Sequence, residues 1–399
     1  MVQGKQQLST PLLLGLALLT ATPALSTDMY LPALPMVATD LDTTTPMVQL
    51  TLSAFMAGMA MGQLIIGPIS DSIGRRRLLL AGAVISLVAS IACALAPTIG
   101  VLIAMRLLQG LGGGACVVIA RAVVPDLARG REAAQAFALL MIIQAAAPIL
   151  APVIGGVVSE PLGWRAVFWV LAAINVAQVV VVALGIRESR PVGERTGAGL
   201  RGMMSNYLYV LKNPQFLAYT LVLALSFGAM FSYISASPFV LQNQMGMSPL
   251  MFSVVFAVNA VALMLSGFIN RRLLQTLHPH HIMRGTMISF IVLMLVLVAE
   301  VTLIRSTALF LVLVFLAVAH VPFLMANATA LGTAVVRERA GSGSAVMGFT
   351  QFAVGGIVSP LVGLGSDRAL SMAVGMVVCA LFAGTAVWVA GCRPLPDMG

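Results

Sequence analysis

The chain has 399 residues, 60% of them hydrophobic and 9% charged, with a mean hydropathy of +1.02. Soluble domains carry about 25% charged and about 45–50% apolar residues, so an ordinary water-soluble enzyme is excluded and lipid is expected as the main solvent. The 22 Lys and Arg against 13 Asp and Glu leave a net charge of +9, but the basic residues fall between apolar runs, which points to membrane topology and not to nucleic acid.

A bilayer core about 30 Å thick needs roughly 20 mainly apolar residues per helix. Twelve such runs predict an all-α membrane protein: 11–33, 47–69, 78–97, 100–122, 134–158 and 165–186, then 215–238, 249–269, 284–304, 307–333, 342–364 and 370–391. They do not alternate polar and apolar residues as barrel strands would. The first run follows Lys5 and has small residues near Ala24, like a secretory signal, but it continues through Met29, Tyr30 and Leu31 and opens a series of similar segments.

Taken in chain order, the first run holds Asp28, which with Glu300 is one of two acidic residues well inside apolar segments. A buried carboxylate is costly unless paired or hydrated, so both are functional candidates. The loop after the second run reads Gly67, Pro68, Ile69, Ser70, Asp71, Ser72, Ile73, Gly74, Arg75, Arg76, Arg77: a tight turn, an acid able to cap or pair, and topology-fixing arginines. The fourth run carries Arg106. Asp28 lies roughly 8 Å and Arg106 roughly 9 Å below the same end of their spans at 1.5 Å per residue. The two are thus expected to share a depth, as a proton-linked pair or as a static ion pair. The fifth run contains Pro148, Ala151, Pro152, Gly155 and Gly156.

Residues 187–213 form a polar, Gly- and Pro-containing stretch between residues 1–186 and 214–399, six spans on each side. It reads as a cytoplasmic linker, with 203–211 either a short interfacial helix or a solvated loop. In the second half, Ser359 to Gly363 echoes Ala151 to Gly155 of the fifth run, as in duplicated transporter bundles. Glu300 lies near the end of its run, placed to reach the interface or Arg305. His278, His280 and His281 cluster in a loop with no Cys or acidic ligand nearby, so no metal site is expected. The four cysteines have no paired spacing and read as packing residues.

Basic residues in short loops resist translocation. All of them except Arg106, Arg165, Arg305 and Arg368 fall on the side of the termini, so both termini are expected to be cytoplasmic.

The loop motif resembles that of the major facilitator superfamily, with Gly67, Asp71, Gly74, Arg75 and Arg76 matching and Ser72 replacing a commonly basic residue. Arg106 to Gly112, with Gln109 and Gly110, resembles the fourth-helix motif, whose arginine the resemblance implicates in proton transfer. Pro148, Pro152, Gly155 and Gly156 resemble the antiporter motif, with Ala151 for a usual glycine. Thr27 to Pro35 and Ser226 to Phe239 are similar to the bicyclomycin and chloramphenicol resistance (Bcr/CflA) branch of drug:proton antiporters.

The resemblance implies a twelve-helix fold in two halves and an inner-membrane, proton-driven exporter of amphenicol- or bicyclomycin-type drugs. It would work by alternating access as a monomer and need no cofactor. Asp28 and Arg106 would couple protons. Tyr30, Met56, Gln144, Phe231, Tyr233, Asn259, His320, Met325 and Gln351 are candidates to line the substrate cavity, each equally suited to packing or interhelical hydrogen bonding. Export of a small metabolite such as an amino acid or nucleoside is the alternative. No catalytic motif is present: HExxH, paired intramembrane aspartates and a P-loop are all absent.

Overall fold

The computed structural model describes residues 10–128, 130–186, 188–189 and 200–394. All regular elements among them are helical: α1 (Thr10–Thr20), α2 (Thr22–Asp28), α3 (Leu34–Asp40), α4 (Thr45–Ile73), α5 (Arg75–Ala94), α6 (Ile99–Leu127), α7 (Gly130–Leu162) and α8 (Trp164–Val180), then α9 (Leu200–Leu211), α10 (Pro214–Pro238), α11 (Pro249–Leu273), α12 (Pro279–Ala299), α13 (Thr307–Val335), α14 (Ala340–Val362) and α15 (Arg368–Gly391). Eleven helices are long and apolar enough to cross a membrane, and the pair Leu12–Thr20 and Thr22–Asp40, bent by 45°, makes a twelfth if it is one span.

The chain divides into two compact units, Met1–Thr43 with Ala54–Gly199 and Thr44–Ser53 with Leu200–Gly399. In the first, Leu12, Leu16 and Leu19 of α1 pack with Cys116, Ile119, Ala120 and Val123 of α6 and Leu140 of α7. In the second, α10 is the central helix and packs on α13, α14 and α15. Its start is capped by the Asn213 side chain, which accepts from the Gln215 and Phe216 amides, and Ser248 and Asp367 cap α11 and α15 likewise.

The first span is broken within the run expected over 11–33. Pro23 has no N–H to give the Leu19 carbonyl, and Thr22 Oγ1 supplies the missing donor at 2.8 Å. The break also frees the carbonyls of Leu18 and Thr20. Gln178 Nε2 of α8 donates to the first at 3.0 Å and Gln144 Nε2 of α7 to the second at 3.2 Å. Gln178 Nε2 also reaches Thr22 Oγ1 at 2.9 Å. Freed backbone groups inside a membrane must be satisfied by neighbouring helices, and two amides do so here. The run then continues through a 3-10 turn at Leu31–Ala33 to Asp40, so Asp28 lies deeper than a span ending at residue 33 implies.

One open reading is resolved and one expectation changes. Residues 203–211, open between helix and loop, lie within α9. Glu300 is buried, and its Oε1 accepts the Ser306 amide at 2.7 Å. It therefore caps the start of α13, whose own N-cap Ser306 makes no side-chain cap bond, instead of reaching the interface or pairing with Arg305. That role explains why a carboxylate stands at a helix N-terminus, where the dipole favours negative charge.

Candidate functional site

The first unit holds a fully buried guanidinium. Arg106, in the first third of α6, is 0% exposed. Its Cζ lies 4.4 Å from the ring centre of Phe55, 5.1 Å from Tyr30 and 5.8 Å from Phe168. Aromatic faces attract a cation most strongly where water is excluded, so three rings replace part of the lost hydration. Nη1 donates to the Ser26 carbonyl at 3.0 Å and to Gln109 Oε1 at 2.5 Å. Nε and Nη2 have no hydrogen-bond partner.

A chain of hydrogen bonds fixes the Gln109 amide. Gln109 Nε2 donates to Ser90 Oγ at 2.7 Å, Asn175 Nδ2 donates to the same oxygen at 2.7 Å, and Ser90 Oγ donates to the Ser86 carbonyl at 2.8 Å. With two donors arriving, the Ser90 hydroxyl must face Gln109 as an acceptor. The amide nitrogen is thereby turned to Ser90 and its oxygen to Arg106. Asn175, on α8, serves this network as interhelical glue.

Asp28 ends α2, two residues after the Ser26 carbonyl that binds Arg106, and is buried at 7% exposure. The expected Asp28–Arg106 ion pair is not formed: among the described residues the Asp28 side chain has neither a salt bridge nor a hydrogen bond. The structure brings the two together through the backbone of α2 instead. Gly155 of the antiporter motif secures that helix. A Cβ there would fall 2.0 Å from the Met29 carbonyl, so only glycine lets α7 approach so closely. Pro152 and Gly156 are buried beside it, and Pro148 is half-buried.

The loop motif is organised by carboxylates that spacing did not reveal. Gly74, at φ 113°, lets the chain turn into α5. Glu188 then accepts the backbone amides of Arg75 at 2.8 Å and Arg76 at 3.3 Å. Arg75 Nε pairs with Asp126 at 3.2 Å, its Nη1 donates to Ser70 Oγ, and Arg76 Nη2 donates to the Ala183 carbonyl at 2.8 Å. The side chains at Gly67 and Asp71 lie outside the described ones.

In the second unit Tyr233 and Asn259 meet, Asn259 Nδ2 donating to the Tyr233 hydroxyl at 2.6 Å. Tyr233 stacks on Phe256, whose ring centre is 5.9 Å away. Phe231 stacks on Phe227 at 5.5 Å, and Phe227 meets Phe352 edge-on at 5.6 Å. His320 does not join either group. It is half-exposed and bonded through Nε2 to Ser289 at 3.1 Å and through Nδ1 to the Leu316 carbonyl at 2.7 Å, an interhelical tie between α12 and α13. Gln144 is committed to the α1 break. Met56 is buried, and Met325 and Gln351 are half-buried. Asn327 is taken up by Asn270 at 2.9 Å. The histidine cluster caps α12 through His278, and no group of three metal-ligating residues occurs among the described residues.

Residues 16–360 match the family model described as Major Facilitator Superfamily. The chain belongs to that superfamily. It is similar to an uncharacterized MFS-type transporter, YdgK, of Bacillus subtilis, at 35% identity covering 96% of this chain and 95% of the relative. A bicyclomycin resistance protein homolog of Haemophilus influenzae is 28% identical over 99% and 100% of the two chains, and the multidrug resistance protein MdtL of Escherichia coli is 29% identical over 92% of each. Among solved structures, a bacterial homolog of the human lysosomal transporter Spinster superposes with a TM-score of 0.72 at 17% identity, over 97% of this chain and 98% of that one. The chain is thus a multi-pass major facilitator transporter and not an enzyme. Sequence reasoning missed Phe55, Phe168, Gln178, Phe256, Asp126 and Glu188.

Proposed function

We propose that this transporter is a proton-coupled exporter of drug-like molecules in a bacterial inner membrane, with both termini cytoplasmic, acting as a monomer without a cofactor. The observation that carries the reading is the coupling of Arg106 to α2: a buried, ring-enclosed cation is hydrogen-bonded to the short helix whose last residue is the buried Asp28. An ionised carboxylate at that position is costly without a counter-charge or water. Loading and release of a proton at Asp28 are therefore tied to water access, and a change in α2 is felt by Arg106 through Ser26.

Tyr233 with Asn259, and Phe231 with Phe227, are a phenol–amide pair and an aromatic pair buried in this conformation, and their chemistry would suit uncharged amphenicol- or bicyclomycin-type molecules once alternating access opens them. The resistance-related names of two relatives favour the same class. The test is substrate-evoked proton movement in inside-out vesicles holding a pH gradient, for wild type and Asp28→Asn. Chloramphenicol or bicyclomycin should evoke proton movement in wild type and none in the variant. Equal movement in both would remove Asp28 from coupling, and silence toward every drug, with a response to an amino acid or nucleoside, would replace drugs by metabolites.

A further inference from the structure

The opposite faces of α11 differ in chemistry. Asn259, Ala262, Ser266 and Asn270 are buried inside the second unit, while Leu265, Phe268 and Ile269 point outward, Phe268 at 59% exposure. Residues 265, 268, 269 and 272 follow the i, i+3, i+4, i+7 rule for one helix face. This outward stripe therefore runs from apolar side chains directly into a guanidinium. An open groove of about 560 Å³ lies along it, lined by Leu265, Phe268, Ile269, Arg271, Arg272 and Gln275.

The two arginines are exposed and have no ion pair, hydrogen bond or ring partner among the described residues. Arg75, Arg76 and Arg339 are different. Each is held by the protein: Arg75 by Asp126, Arg76 by the Ala183 carbonyl, and Arg339 by the Ser205 carbonyl and the Tyr209 ring. Arg271 and Arg272 thus leave a forked donor array unfilled at the end of a membrane-crossing helix, where lipid headgroups lie. Guanidinium forks match phosphate oxygens, and basic pockets beside spanning helices suit anionic headgroups.

We propose that this groove binds an anionic phospholipid, its phosphate between Arg271, Arg272 and Gln275 and an acyl chain along Leu265, Phe268 and Ile269. The site is independent of the transport reading. The experiment is native mass spectrometry of the purified transporter titrated with phosphatidylglycerol or phosphatidylcholine, for wild type, the double variant Arg271→Gln with Arg272→Gln, the double lysine variant, and Arg77→Gln as an exposed arginine elsewhere.

Wild type should retain phosphatidylglycerol at least threefold better than phosphatidylcholine. The glutamine pair should abolish that preference, the lysine pair should keep part of it, and Arg77→Gln should leave it unchanged. Retention by wild type should also fall with added salt, a readout that does not depend on any variant folding. Undiminished phosphatidylglycerol retention by the glutamine pair, an equal loss in Arg77→Gln, or retention indifferent to headgroup or salt would each overturn the site and leave the arginines as topology signals alone.

Discussion

The two units bury polarity in different ways. The interior of the first holds ionisable groups, with Arg106 enclosed by Tyr30, Phe55 and Phe168 and Asp28 at the end of α2. The second ties its interior with neutral pairs, Tyr233 with Asn259 and Asn327 with Asn270, and spends its buried acid, Glu300, on capping α13. A charge in a membrane interior is expensive and responds to water and protons. A phenol–amide pair is cheap and adaptable. Under the proposed function, energy coupling would lie in the first unit and substrate contact in the second.

Perturbing Arg106 should have the largest effect. Arg106→Lys keeps the charge but loses the planar fork shared between Ser26 and Gln109 and the stacking on three rings. Proton-driven drug transport in vesicles should fall on the order of 100-fold, the cost of misplacing a reacting group. Transport within a few-fold of wild type would show that charge alone suffices.

Gly155→Ala comes next. Its methyl would meet the Met29 carbonyl, so α7 and the end of α2 must separate. Overpacking of this kind costs about 1–3 kcal/mol, to be read as a lowered thermal midpoint in detergent. An unchanged midpoint would mean that the α2–α7 crossing is slack.

A smaller loss is expected of Gln178→Leu, which strips a donor from the Leu18 carbonyl and from Thr22. Interhelical hydrogen bonds in membranes average about 0.6 kcal/mol, so the midpoint should drop only slightly. Because the same bond holds the α1–α2 break, cross-linking or spin-label distances across residue 21 should broaden. Tyr233→Phe, the mildest change, should leave stability nearly intact and alter drug preference in a transport competition assay.

Much of the architecture was legible in the sequence because a span is a long apolar run, a signal that single residues cannot hide. Arg106 stood out as an arginine well away from either end of its run, and Asp28 and Glu300 as the acids. Their roles were less legible. Glu300 looked like a candidate for coupling because burial could be read, whereas its partner, the Ser306 backbone amide, leaves no mark in composition. Phe55 and Phe168 were invisible as a cage because a phenylalanine facing an arginine and one facing lipid are the same letter. Gln178 answers the Leu18 carbonyl, freed by a helix break far away in the chain, and Glu188 caps α5 from beyond α8. Such contacts exist only once helices are placed side by side. The Asp28–Arg106 ion pair inferred from equal depth did not form even though Arg106 reaches Ser26 and Tyr30 on either side of Asp28, because depth along a span does not say which way a side chain faces.

The most direct measurement follows equilibrium drug binding and drug-evoked proton movement in the same preparations of wild type, Asp28→Asn and Tyr233→Phe. A division of labour between the units predicts that Asp28→Asn still binds drug but moves no protons, while Tyr233→Phe shifts drug affinity and leaves protons per drug unchanged. If Tyr233→Phe altered the proton ratio, or Asp28→Asn kept it, coupling would not reside in the buried charges of the first unit.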